Sequence, residues 1–259
     1  QQDVLSLRAV ELVALLHRGV LAAWGTADAV PSDVRAAVQT LLGWDGRLAA
    51  DSAAATLYVA WWSELQAQAR QQLMPAAVRP LIPVLHPHAV TGWLQGLLRE
   101  PIRPDGAGWQ VLAQTLTRAQ ARVARLPARA DGSAPRWGDL HRVDLRHALR
   151  TWLGPAWADR LDAVGGASGG DAGTVQARWH ASFDRPQVTG GASFRAVLEA
   201  GAWSTARAIN LPGQSGDPRS PHYRDLYPRW VEGSSFPLPF TPEEVDRAAV
   251  QTLRVGPKP

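Results

Sequence analysis

Cysteine is absent from the 259 residues, and lysine and methionine occur once each, at Lys258 and Met74. Without thiols there are no disulfide staples, no thiolate nucleophile and no cysteine-ligated zinc, while the compartment stays open because exported proteins also do without cysteine. No apolar run approaches the roughly 20 residues that a membrane-spanning helix requires, and Gln1-Gln2-Asp3 has neither the basic nor the apolar part of an export signal. The chain therefore reads as though cut from something longer, with no membrane partner. Charge of one sign is scarce as well. The net charge is +4, its arginines are interleaved with Asp and Glu, and no basic stripe suited to phosphate contacts stands out, so nucleic acid is not an expected partner.

Apolar residues make up 46% of the chain and charged residues 19%, which is enough to bury a core and excludes a disordered polypeptide. Leu5, Val10, Leu12, Val13, Leu16 and Val20 recur near helical spacing and predict an amphipathic helix from about Val4 to Trp24. Pro31-Ser32-Asp33 opens a second helix running to Leu42. A third runs from about Asp51 to Met74, capped by Asp51 or Ser52, until Pro75 and the prolines at 80, 83 and 87 stop it. A fourth spans roughly Gly108 to Leu126. Trp61, Trp62, Trp93 and Trp109 sit in this helical context, where ring burial accounts for them, and the core is the expected place for most of the twelve tryptophans.

After Pro135 the period changes to two. Over Trp137–His147, His141, Val143, Leu145 and His147 alternate with Arg142, Asp144 and Arg146, which predicts a strand. The run Gly165–Asp171 predicts a loop leading into a strand over Thr174–Trp179, and Ser193–Ala200 with Ala206–Leu211 reads as a hairpin-like pair. A last helix is expected over Pro242–Thr252, capped by Thr241 with Glu243 and Glu244 in its first turn. No internal repeat is visible. The fold class is α+β, with a helical portion over residues 1–128 and a strand-rich portion with a C-terminal helix over 129–259.

Candidate chemistry is thin. His86-Pro87-His88 lacks cooperating acids and reads as a loop with two solvated histidines, so no metal site is expected. His141 and His147 read as core-edge histidines bonded to backbone. The glycine run lacks the ending of a phosphate loop and the dinucleotide fingerprint, so no nucleotide cofactor is implied. Ser215, His222 and Asp217 or Asp225 can be drawn as a nucleophilic triad, but Gly213-Gln214-Ser215-Gly216-Asp217 misses the nucleophile elbow by one position.

The run Pro212–Tyr223 is the most specified part of the chain. Gly213 and Gly216 permit backbone angles closed to other residues, three prolines fix φ, and Gln214, Ser215, Asp217, Ser220 and His222 cap neighbouring backbone groups. Left-handed angles are expected at the two glycines, and His222 is expected to be buried and structural.

With Trp203–Asn210 before it and Asp225 after it, this run resembles the C-terminal signature of the penicillin acylase family of N-terminal-nucleophile (Ntn) amide hydrolases. The resemblance extends, in order, to Gln1-Gln2-Asp3-Val4 with Ser6, to Leu42-Gly43-Trp44-Asp45-Gly46 with Ala50-Asp51-Ser52-Ala53-Ala54, to Trp137–His141 and His147, to Gly170–Val175, and to Gly191-Ala192-Ser193-Phe194-Arg195. It implies part of an Ntn-hydrolase αββα sandwich and the C-terminal half of a β chain. The nucleophilic serine and its oxyanion donors are then expected upstream of residue 1, and no catalytic residue is expected within the chain. In such enzymes the serine's own α-amino group, with a pKa of roughly 8, acts as general base. Ser193 and Arg195 are candidate supports of the active site, with Ser193 standing where several acylases carry an acid. Gly213, Gln214, Ser215, Gly216, His222 and Tyr223 are the structural signature. The implied partners are the missing part of the β chain, the α chain and a small-molecule amide, with no cofactor, in the periplasm or outside the cell. The alternative is a non-catalytic structural or ligand-binding relative without the nucleophile.

Overall fold

The computed structural model describes residues 3–99 and 101–256; Gln1, Gln2 and Lys258 lie outside them. The chain divides into two units. Among the described residues, the helical unit comprises 3–99, 101–145 and 164–191, and the smaller unit 146–163 and 192–256.

In the helical unit, α1 (Leu7–Trp24), α2 (Ser32–Leu42), α3 (Ala53–Leu73), α4 (Pro87–Leu97) and α5 (Ala107–Ala124) pack around one apolar core. Side-chain caps set two of their starts: Ser6 Oγ accepts from Ala9 N–H at 3.2 Å, and Ser52 Oγ from Ala55 N–H at 3.1 Å. The first half of α3 is buried on nearly every face, from Ala55 through Trp61, as expected of a central helix. Trp61 is fully buried, and its indole N–H reaches Thr115 Oγ1 on α5 at 3.0 Å. Gly19 lets α1 approach α5, since a β-carbon there would stand 2.7 Å from Leu112 Cδ1. Helix α4 went unforeseen because the prolines before it read as a stop. Pro87 instead occupies its first turn, where a missing N–H costs nothing.

The expected strand over Trp137–His147 is replaced by a one-turn helix, α6 (Trp137–Leu140), and a shorter strand, β1 (Arg142–Leu145). The reason is local: the Asp139 carboxylate takes the Arg136 N–H at 2.9 Å and starts a turn that period-two patterning does not register. Strand β1 pairs with β2 (Ala163–Ala167), so the first part of the glycine run is strand and not loop. The expected strand over Thr174–Trp179 shrinks to β3 (Arg178–Trp179), which pairs antiparallel with β4 (Gly190–Gly191). Residues 171–177 form turns instead. Gly173 N–H donates to Asp171 Oδ1 at 2.7 Å and Asp171 N–H to Thr174 Oγ1 at 3.1 Å, so side chains satisfy groups that a ladder would have used.

The smaller unit holds α7 (Arg150–Leu153), α8 (Pro155–Leu161), a three-stranded antiparallel sheet ordered β5 (Arg195–Val197), β6 (Arg207–Ile209), β7 (Phe236–Pro237), and helices α9 (Tyr227–Glu232) and α10 (Pro242–Ala248). The hairpin-like pair is present as β5 and β6, in the register Arg195 to Ile209 and Val197 to Arg207. Thr241 and Glu244 form the capping box of α10, which ends at Ala248, short of the expected Thr252. No helix of the described residues is long and apolar enough to cross a membrane.

Candidate functional site

The signature loop hangs from β6 and returns into α9. Its anchor is one carbonyl: His222 O accepts from both Gln214 N–H, at 2.9 Å, and Ser215 N–H, at 3.1 Å. Leu226 N–H closes the loop onto Pro212 O at 3.1 Å. Gly213 stands so near that carbonyl that a β-carbon would lie 2.2 Å from His222 O, whereas one on Gly216 would meet nothing within 4 Å. Neither glycine is among the positive-φ residues, which corrects the expectation of left-handed angles: Gly213 is required for clearance, and Gly216 is not required on either ground.

Below the loop, Tyr223 is buried and its hydroxyl donates to Leu161 O at 3.0 Å, while Arg224 Nη1 donates to Asp162 O at 2.6 Å. Asp162, nearly inaccessible, gathers Arg146 Nη1 at 3.1 Å, Arg150 Nη1 at 3.2 Å and His147 N–H at 2.9 Å. Burial alone would push its carboxyl up, but the His147 N–H and the two guanidiniums hold it below the ordinary range.

His222 is not buried. Its side chain is 70% exposed, with Nδ1 2.9 Å from Asp225 Oδ2, because the loop turns the ring outward toward a carboxylate three residues on. Ser215 Oγ accepts from Asp217 N–H at 3.1 Å, and Asp217 is paired with Arg219 at 2.9 Å. The loop thus joins His222 to Asp225 and leaves Ser215 engaged as a backbone cap. Among the described residues no hydrogen bond links the serine hydroxyl to the imidazole, the contact a nucleophile and its base need.

Of the two candidate supports, Ser193 lies exposed at a bend and Arg195 lies inside. Arg195 Nη2 donates to Trp230 O at 2.9 Å, and its guanidinium carbon sits 5.0 Å from the Trp230 ring centroid. Trp230 in turn donates its indole N–H to Ala192 O at 2.9 Å, so one tryptophan pins both ends of the segment Ala192–Arg195. Burial lowers the Arg195 pKa to about 10, and its Nε and Nη1 are buried without a partner.

A second titratable cluster belongs to the helical unit. His141 is fully buried, stacked on Trp137 with centroids 4.5 Å apart and edge-on to His180 at 5.2 Å. Its Nδ1 lies 2.9 Å from Ser168 O, and since a carbonyl can only accept, the ring proton sits on Nδ1. Burial pushes the His141 pKa down to about 3 and also lowers that of His180. His147 lies apart from this cluster, in the smaller unit, where its Nδ1 accepts from Leu149 N–H at 3.1 Å. His86 and His88 are exposed at the start of α4, where His86 Nδ1 accepts from His88 N–H at 3.4 Å. Among the described residues no group of three or more His, Asp or Glu side chains is placed to hold a metal ion.

Trp230, Asp162 and His180 are the site residues that sequence reasoning missed. Trp230 and His180 meet Ala192 and His141, 38 and 39 positions away, and the Asp162 carboxylate draws on Arg146, His147 and Arg150 in a preceding segment, pairings that no local pattern carries.

A family profile described as penicillin amidase matches residues 1–247. The chain is 32% identical over 251 residues to the penicillin acylase 2 proenzyme of Pseudomonas sp. strain SE83, covering 93% of this chain and 31% of that protein. It is 28% identical to the acyl-homoserine lactone acylase QuiP of Pseudomonas aeruginosa, covering 85% and 29%. It is also similar in fold to a thermostable penicillin G acylase from Alcaligenes faecalis, with a TM-score of 0.51 at 17% identity over 99% of this chain and 48% of the other. The chain spans about a third of the length of the two curated relatives.

Proposed function

This chain belongs to the penicillin amidase family, and from that premise we propose that it forms the C-terminal scaffold of an amide-cleaving enzyme whose nucleophilic serine lies outside its sequence. The curated relatives are acylases, which makes amide hydrolysis the family's common chemistry. The observation that carries the proposal is the signature loop: Ser215 caps Asp217 N–H while His222 engages Asp225, so the only nucleophile-like grouping in the loop is spent on structure. Arg195 and Trp230 act as a rigid support, holding Ala192–Arg195 through hydrogen bonds at both ends.

In this proposal the remaining β-chain segment and an α chain complete the enzyme, in the periplasm or outside the cell. The substrate is a linear amide, such as the side-chain amide of a β-lactam or an acyl-homoserine lactone. The test is an amidase assay with a chromogenic phenylacetyl amide. The 259-residue chain alone should give no turnover, and Ser215→Ala in the complete enzyme should leave kcat within about twofold, a difference below 0.5 kcal/mol in barrier. Turnover by the chain alone that Ser215→Ala abolishes overturns the proposal in favour of the loop triad.

A further inference from the structure

One side of α3 in the helical unit lines a cavity of about 420 Å³, within the size range of small-molecule sites. Tyr58, Trp62, Leu85 and Phe183 contribute apolar wall, and segments from α1, α3, the stretch before α4 and the turns at 171–172 and 180–183 converge on it. Its walls also carry charge, and the charges do not balance. Arg8 is fixed by Asp171 at 2.5 Å, by Tyr58 Oη at 3.1 Å and by the Trp62 face at 4.4 Å, so that cation and that anion cancel. Arg70 has no such counterpart: it is held by the carbonyls of Pro83, at 3.0 Å, and Arg79, at 3.3 Å. No acidic residue stands between Glu64 and Glu100 in the sequence, and among the described residues Asp171 is the one carboxylate lining the cavity. His180, also in the wall, stays neutral at neutral pH because burial lowers its pKa. Val84, which also lines the cavity, is an exposed apolar side chain.

An apolar chamber with a net charge of one positive unit selects for a particular chemistry. We propose that this cavity binds a small organic monoanion, a carboxylate on an aromatic or alkyl body, with the apolar part against Trp62 and Phe183 and the carboxylate toward Arg70. A guanidinium satisfied only by neutral carbonyls keeps its full charge available to such a ligand, whereas Arg8 is already neutralised by its partner.

The test uses 4-phenylbutyrate and its neutral counterpart 4-phenylbutanol, titrated into the 259-residue chain by calorimetry at pH 7. Saturable binding of the carboxylate is expected in the range of about millimolar or tighter, with the alcohol at least about fivefold weaker. Arg70→Gln should weaken the carboxylate about fivefold or more and leave the alcohol unchanged, the value expected of one partly exposed charge contact. Ala67→Trp, which fills the cavity from α3, should abolish binding of both. Far-ultraviolet circular dichroism and the urea midpoint of each variant confirm that it is folded. Equal affinity for acid and alcohol, an acid affinity indifferent to Arg70→Gln, binding that survives Ala67→Trp, or no saturable binding by the folded chain each overturns the assignment.

Discussion

The two units are held together by different physics. In the helical unit the buried residues include Leu12, Leu16, Leu41, Tyr58, Trp61, Leu65, Leu94, Leu112 and Trp137, most of them in one continuous cluster. In the smaller unit the buried apolar residues are Ala158, Ala163, Ala206 and Ala208 with Leu161, Ile209, Tyr223 and Trp230, while Trp152 is 86% exposed and Phe240 61%. What it has instead is a set of directed polar contacts: Asp162 with its two arginines and an N–H, Tyr223 to Leu161, and Arg195 and Trp230 in mutual contact. Burial of area is tolerant of detail, because its energy is spread over many weak contacts. Directed contacts are not, because a lost partner leaves a desolvated group behind. The units should therefore fail in different ways.

The largest effect tests the core. Trp61→Ala should cost about 3–5 kcal/mol, from lost burial plus the cavity it leaves and an orphaned Thr115 hydroxyl. Urea denaturation followed by circular dichroism measures it; a loss under about 1 kcal/mol contradicts the assignment of the helical unit to burial.

His141 is the polar exception inside that apolar unit. Its folded pKa of about 3 lies below its ordinary value, so between the two the unfolded chain binds the proton and the folded one does not. Its contribution is full above about pH 6.5 and is lost as the pH falls toward 3, roughly 2–3 kcal/mol between pH 7 and pH 4.5. Urea midpoints across that range, compared with those of His141→Gln, should show the variant losing less stability on acidification. Parallel curves remove His141 from the account.

In the smaller unit the sharpest contrast lies between two glycines three residues apart. Gly213→Ala drives a β-carbon into the His222 carbonyl and should cost about 1–3 kcal/mol, whereas Gly216→Ala should stay within about 0.5 kcal/mol. Equal melting shifts for the two contradict the clearance argument. The smallest effect belongs to His222→Gln, which removes an exposed hydrogen bond to Asp225 and should change stability by less than about 0.5 kcal/mol. A loss several times larger would restore a buried role for that ring.

What was legible in the sequence follows the range of the forces involved. Helices α1, α2, α3 and α5 were readable because their spacing and caps are written within a few residues, as at Ser52. The core placement of Trp61 and Trp109 followed from the same periodicity. The strands were not readable: β1 and β3 are short, and their partners lie some twenty and twelve residues away, so alternation at Trp137–His147 or Thr174–Trp179 carried no information about where pairing stops. At the loop, composition marked a specified turn but was silent on the burial of Tyr223. It misled on Gly213, needed for closeness and not for φ, and on His222, whose direction is set by Asp225.

The clearance at Gly213 also bears on what the loop can be used to diagnose. A residue held glycine by the van der Waals radius of a neighbouring carbonyl answers to shape alone, and would stay glycine in a relative whose reactive serine had been lost or replaced. A search pattern centred on Pro212–Tyr223 therefore sorts polypeptides by how their backbone passes itself and not by the bond they cleave. A pattern able to separate working enzymes from inert descendants has to be drawn from residues that meet the reacting atoms.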